Sequence, residues 1–233
     1  MSMWPDYSRD YLLNKLNVPC CTDVNEDNEQ KQEKKETVYK INEIFESIQG
    51  EGYHTGMPAI FIRLAGCSMG CKWCDTKTCQ EVHYQLTAKQ IVEYIEANFT
   101  RKNIVITGGE PFEQDLNQLV EKLFDEYGHS VHIETNGAHF ISDNIARGAW
   151  ITVSPKAYVK KSALKRASEI KLVISNEKDI ERAKRLKSYQ IHGEFYLQPE
   201  SGKDSATKLC VKTCLEDPRF KLSVQVHKLI NVR

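Results

Sequence analysis

Three cysteines, Cys67, Cys71 and Cys74, fall within eight residues, directly after the apolar run Ala59-Ile60-Phe61-Ile62-Arg63-Leu64. A run so rich in β-branched and aromatic residues reads as a buried strand. The thiols therefore sit on a loop leaving a strand's carboxyl end, with Gly66 and Gly70 letting the chain fold back. Thiolates this close can wrap a soft metal or an iron–sulfur cluster. Three readings compete. Buried free thiols would simply pack as small hydrophobes. A zinc site needs a fourth ligand, for which Cys79 and His83 are nearby candidates. A [4Fe–4S] cluster held by three cysteines keeps one iron open to a non-protein ligand. The density of thiols favours the cluster.

Other polar stretches also follow apolar runs. Glu46-Ser47-Ile48-Gln49-Gly50-Glu51-Gly52 brackets polar side chains with two glycines, and alone it reads as a turn. In Gly108-Gly109-Glu110-Pro111, paired glycines let a ligand approach the backbone, and Glu110 can accept hydrogen bonds from an ammonium group. Glu134 ends a run of apolar and small residues before Thr135-Asn136-Gly137, so it points into the sheet's mouth or caps the next element. Pro155 fixes a turn after Ser154, and Lys156 offers a cation. Gln198-Pro199-Glu200-Ser201-Gly202 closes the series. A proline-stopped strand end explains the last two equally well one at a time, but five polar loops on one edge make a site.

The elements that must position these loops can be read from periodicity. Strands are expected at Val38 to Phe45, Ala59 to Leu64, Asn103 to Thr107, Ser130 to Glu134, Trp150 to Ser154, Ile170 to Ile174, Glu194 to Leu197 and Leu222 to Val226. Helices are expected at Ala88 to Phe99 behind the cap Thr87, at Leu116 to Tyr127, at Glu177 to Leu186 and at Ser205 to Leu215. Strand–helix alternation argues for a parallel sheet. The core is too short for eight full units, so the expected fold class is α/β, a partial, open (β/α) barrel with ligands at the strands' carboxyl ends. Residues 1–38 are a charged, amide-rich extension, read as disordered, and 39–233 are the core domain. Within the extension, Tyr11-Leu12-Leu13 and Leu16 could form one amphipathic turn, and Cys20-Cys21 is given no chemistry.

With 233 residues, zero formal net charge and no apolar run of membrane-spanning length, the composition gives no reason to expect a nucleic-acid or membrane partner. Eight clustered cysteines in a chain of this size do not make a secreted disulfide scaffold, and a cytoplasmic home is expected. Cys210 and Cys214, four apart on a helix, read as packing residues.

The spacing Cys-x3-Cys-x2-Cys, followed by Gly-Gly-Glu, resembles the radical S-adenosylmethionine superfamily. More narrowly, Glu43 to Gly52, Gly56 to Leu64, Cys67 to Thr76, Thr107 to Pro111, Glu134 to Gly137, Thr152 to Lys156, Leu197 to Pro199 and Gln225 to Lys228 resemble the 7-carboxy-7-deazaguanine synthase family. The likeness covers residues 39–233. It implies a lyase of queuosine and deazapurine biosynthesis that contracts the ring of 6-carboxy-5,6,7,8-tetrahydropterin and releases ammonia. It also implies a [4Fe–4S] cluster, S-adenosylmethionine and Mg2+ as cofactors, a homodimer, and an external electron donor such as flavodoxin.

Carried over residue by residue, the resemblance gives Cys67, Cys71 and Cys74 to the cluster and Thr76 to magnesium. It gives Ile48, Gln49, Gly50, Arg63 and Thr107 to the substrate, with Arg63 on its carboxylate. S-adenosylmethionine takes Gly109, Glu110, Ser154, Pro155, Lys156, Gln198, Pro199, Glu200 and Ser201. To these we add Glu134 as an acceptor for the pterin edge. Some members end in a proline that reaches the substrate, whereas this chain ends Asn231-Val232-Arg233, and His227-Lys228 matches without a role. The alternatives are a radical enzyme that installs a glycyl radical on a partner protein, which would not need the Gln49 loop or Thr76, and a zinc or iron–sulfur structural protein.

Overall fold

A computed structural model of the protein describes residues 36–71, 74, 76–189 and 192–232. The expectations placed on Tyr11 to Leu16, on Cys20-Cys21 and on Arg233 lie outside the described residues. Residues from Thr37 onward form one compact unit.

The strands are β1 (Val38–Ile48), β2 (Pro58–Leu64), β3 (Tyr84–Thr87), β4 (Asn103–Gly108), β5 (Ser130–Thr135), β6 (Ala149–Val153), β7 (Glu169–Ile174), β8 (Glu194–Pro199) and β9 (Lys221–Leu222). They form one open sheet in the order β3-β1-β2-β4-β5-β6-β7-β8-β9. From β2 through β4 to β9 every neighbouring pair is parallel. The helices are α1 (Ala88–Asn98), α2 (Asn117–Glu121), α3 (Asp143–Gly148), α4 (Lys161–Arg166), α5 (Glu177–Lys187), α6 (Asp204–Glu216) and α7 (Val226–Leu229). Thr87 and Gln90 close a capping box on α1, and Asn176 and Asp179 do the same for α5. Each such cap contributes about 1 kcal/mol.

Two expectations need correction. β1 runs antiparallel to β2 and continues to Ile48, so the Gln49 loop leaves at the amino end of β2, not at the shared carboxyl edge. The expected strand Leu222 to Val226 shrinks to Lys221–Leu222, because the Val226 N–H turns to the Gly50 carbonyl at 2.9 Å and the chain curls into α7. In addition, the helix expected over Leu116 to Tyr127 is α2 continued by a wider π-type turn, Lys122–Glu126.

Alternation along the strands separates two faces. Ile60, Ile62, Ile104, Ile106, Ile133, Ile151, Ile170, Leu172 and Leu197 pack under the helices with Ile91, Leu119, Ile145, Ile180 and Cys210. The other, inner face begins with a small apolar patch, Met57, Ala59, Phe61 and Val105, backed by Phe45. A bulge between Ile41 and Glu43 shifts the register of β1. Ile41 thus stays in the helix-side core while Glu43 sits beside Arg63 on the inner face.

Candidate active site

Strand alternation also puts Arg63, Thr107, Glu134, Thr152 and Glu169 on the inner face in adjacent positions. Arg63 pairs in register with Thr107, Glu134 with Thr152, and Thr152 with Glu169. The Thr107 hydroxyl donates to Glu134 Oε2 at 3.1 Å. The Thr152 hydroxyl donates to Glu169 Oε1 at 2.9 Å. Arg63 Nε donates to Glu43 at 2.8 Å, and its guanidinium lies 5.7 Å from the centre of the Phe45 ring.

Across this face folds the loop 49–57. The Gln49 amide donates to Glu134 Oε1 at 3.1 Å and accepts from the Glu51 N–H at 3.1 Å. Tyr53 N–H donates to Glu169 Oε2 at 2.8 Å. His54 packs edge-on against His132, ring centres 4.4 Å apart, and against Trp150. Glu51 lies in a polar knot: Lys171 donates to one oxygen, while Gln198 and Gln225 donate to the other at 3.1 and 2.7 Å. Burial alone would push the Glu51 carboxyl up, but Lys171, with Gln225 and His227 adding to it, outweighs burial and holds it below the ordinary range. Lys171 is 5% exposed and faces Glu51, Glu134 and Glu169. Burial works against its charge, yet these carboxylates keep the proton on more firmly than usual. Glu169, 2% exposed, is shifted up by burial against the pull of Lys171.

Glu51, Lys171, Glu169 and Gln225 escaped the sequence reading. Lys171 carried a usable signal, a charge inside Ile170-Lys171-Leu172, as Arg63 is a charge inside Phe61-Ile62-Arg63-Leu64. Gln225 lay in the matching stretch Gln225 to Lys228 but was given no role, because its partner Glu51 is far along the chain.

At the carboxyl ends of β2 and β4 the cysteine loop meets the glycine pair. Gly109 N–H donates to the Leu64 carbonyl at 3.1 Å and Glu110 N–H to the Gly66 carbonyl at 2.9 Å. A Cβ on Gly109 would lie 1.8 Å from the Gly66 carbonyl oxygen and 3.0 Å from Cys67 Cβ. Cys67, Cys71 and Cys74 are free and half-buried, and Cys74 N–H donates to the Cys71 carbonyl at 3.1 Å. Burial pushes the Cys67 thiol up, with Glu113, Glu110 and Cys71 adding to it. Cys79 is buried behind the loop, close to Cys74 and Cys67, whereas His83 is exposed and pairs with Glu81 at 3.3 Å. Among the described residues no three His, Cys, Asp or Glu side chains converge on one point. Thr76 is half-buried and directly precedes the turn Lys77–Gln80, without a side-chain capping bond to it.

Glu110 is 2% exposed and turned inward. Its oxygens accept from Thr135 at 2.6 Å, from Asn136 N–H at 2.8 Å and from Phe112 N–H at 3.2 Å. Ser154 N–H is tied to the Thr135 carbonyl at 2.7 Å; Pro155 is buried and Lys156 half-buried. Gln198 and Pro199 belong to β8 and not to a loop. Glu200 pairs with Lys203 at 3.2 Å, and Ser201 is exposed. Ile48 ends β1, and Gly50 lies against the His227 ring.

An open (β/α) sheet carrying three thiols at its carboxyl edge beside a Gly-Gly-Glu turn defines a radical S-adenosylmethionine protein, and the family model described as the Radical SAM superfamily matches residues 61–197. The 7-carboxy-7-deazaguanine synthase of Escherichia coli K12 is 38% identical over 224 residues, 83% of this chain and 99% of that relative. That of Aquifex aeolicus is 36% identical over 214 residues, covering 86% and 97%. The crystal structure of QueE from Escherichia coli matches with a TM-score of 0.73 at 38% identity, over 81% of this chain and 94% of that one. The chain belongs to the 7-carboxy-7-deazaguanine synthase family. The glycyl-radical alternative is not favoured.

Membership implies a [4Fe–4S] cluster and S-adenosylmethionine. The donor chemistry fits: three free thiols lie on one loop, set against a glycine pair with no side chain to obstruct it, although their side chains do not converge on one point. No helix among the described residues is long and apolar enough to cross a membrane.

Proposed function

We propose that the inner face binds 6-carboxy-5,6,7,8-tetrahydropterin and that the chain converts it to 7-carboxy-7-deazaguanine and ammonia, a step of queuosine and deazapurine biosynthesis. The observation that carries this reading is the gathering of Arg63, Thr107, Glu134 and Gln49 on one face beside the thiol loop.

Cys67, Cys71 and Cys74 hold the cluster. When bound, the cluster and S-adenosylmethionine would supply radical chemistry able to remove hydrogen from C6 of the pterin. The protein's own work is placement. Arg63 gives only its Nε to Glu43, so the outer guanidinium nitrogens can grip the substrate carboxylate in a fork. Glu134, fixed by Thr107 and Gln49, accepts from the pterin's N–H edge. Ile48, Gln49 and Gly50 line the ring, and Thr107 touches it. Gly109, Ser154, Pro155, Lys156, Gln198, Pro199, Glu200 and Ser201 hold S-adenosylmethionine. Glu110 serves that contact by bracing its loop from inside. Thr76 offers one oxygen to Mg2+, and substrate and water complete the shell. The enzyme works as a cytoplasmic homodimer reduced by an external donor such as flavodoxin.

The test is an anaerobic assay of reconstituted protein with reductant, S-adenosylmethionine, magnesium and the pterin, read by mass spectrometry. Carboxydeazaguanine that disappears in Cys71→Ala is the expected result. 5′-Deoxyadenosine without any deazapurine would overturn the substrate.

A further inference from the structure

Lys171 is the cation on the inner face whose surroundings the proposed chemistry leaves unexplained. It rises from the middle of β7 between two apolar neighbours, and its side chain is 6% exposed. The carboxylates of Glu51 and Glu134 both lie within ion-pair reach, the second at 3.8 Å. These partners come from different places: Glu51 from the loop 49–57 and Glu134 from β5. Glu169, on its own strand, adds a third negative charge. Glu51 in turn accepts from Gln198 of β8 and from Gln225, just ahead of α7, and it feels His227. The Gly52 N–H donates to Ser223 at 3.0 Å, and Ser223 donates to Gln198 at 3.0 Å. One ammonium thus anchors the carboxylate through which a loop and a chain terminus are joined to the sheet.

We propose that Lys171 is the positioning residue of this site: its ammonium holds the Glu51 carboxylate against β7, which fixes the loop 49–57 and the segment 223–228 over the substrate face, and steadies Glu134 beside them. The inference rests on the inner face being the pterin site. Removing one partner of a buried pair leaves the other charge uncompensated, a far larger disturbance than neutralising both. Lys171→Met therefore frees Glu51 and loosens both segments. Glu51→Gln/Lys171→Met removes the stranded Glu51 charge but restores no anchor.

The experiment combines hydrogen exchange of the reconstituted protein with steady-state kinetics for Lys171→Met, Lys171→Arg, Glu51→Gln and the double variant. Lys171→Met is expected to speed exchange in 49–57 and 223–228 by about tenfold or more, leaving α1 and α5 as in wild type. It should raise KM for the pterin by about tenfold or more while KM for S-adenosylmethionine stays within about twofold. With Lys171 gone, Glu51 takes up a proton at a higher pH, which removes the stranded charge, so the pterin KM of Lys171→Met should fall toward that of the double variant as pH falls from 7 to 5. Lys171→Arg should recover part of both effects.

Exchange in the two segments unchanged by Lys171→Met overturns the proposal. So does a uniform rise across the whole chain with both KM values moving together, the mark of a general structural role. Should Lys171→Met fail to fold, the double variant is compared with Glu51→Gln: because Lys171 acts through the Glu51 carboxylate, the two should agree within about twofold in exchange of the two segments and in pterin KM, and a further rise of about tenfold on adding Lys171→Met would overturn it. A wild type that makes no carboxydeazaguanine sinks the proposed reaction, while the exchange data still judge Lys171.

Discussion

Gly109→Ala tests the contact between the two loops at the carboxyl edge. The new methyl would lie 1.8 Å from the Gly66 carbonyl oxygen, 2.4 Å from its carbon and 3.0 Å from Cys67 Cβ. A relaxed carbon–oxygen contact is about 3.3 Å, so the strands of backbone must part by about 1.5 Å. The obstruction is main chain, and no rotamer change can relieve it. Parting breaks the hydrogen bonds from Gly109 N–H to Leu64 and from Glu110 N–H to Gly66, now 3.1 and 2.9 Å. Each contributes about 1 kcal/mol, and the residual overpacking strain about 1–3 kcal/mol. The expected loss is about 3–5 kcal/mol, a melting temperature lower by about 6–20 °C for a unit of this size. Anaerobic thermal unfolding and iron and sulfide content of the reconstituted variant are the measurements. A melting point within about 2 °C of wild type with full iron loading would refute the reasoning, since it would mean the loops are not in contact.

Gly50→Ala makes a milder clash, because the atom met at 2.0 Å is the His227 ring, which can swing aside. We expect about 1–2 kcal/mol of destabilisation but a raised KM for the pterin, and an unchanged KM would count against the docking of 223–228 on this loop. A buried imidazole, His132, and a half-buried one, His54, make stability depend on pH. Burial lowers His54 to about 4 and His132 to about 3, the latter helped by His54. Both folded values lie below that of a free imidazole, so the unfolded chain binds protons first and stability falls as pH drops below about 6.5. For the well-buried His132 the loss between pH 6.5 and 5 is about 1.5 kcal/mol. Urea unfolding of His132→Phe should show that much less decline, and an identical decline would rule the ring out as its source.

The thiol loop was legible because all its ligands lie on one short stretch, so spacing alone carries the chemistry. The apolar runs of β2, β4, β5 and β7 were legible because each buries one face or both, and burial leaves a pattern in the chain. Capping boxes at Thr87 and Asn176 are equally local. Strand direction was not legible: the alternation of strands and helices put β1 in one series with the parallel strands, and only its pairing with β2 and β3 makes it antiparallel. That reversal carries Gln49 and Glu51 in from the opposite end of the sheet. Nor could the chain announce that Glu51 meets Lys171, 120 positions away, or Gln225, 174 positions away. Local sequence records what a residue needs from its neighbours along the chain. Which charges share one buried face depends on how the sheet curls and the loop folds over it, and that is decided only when the chain packs.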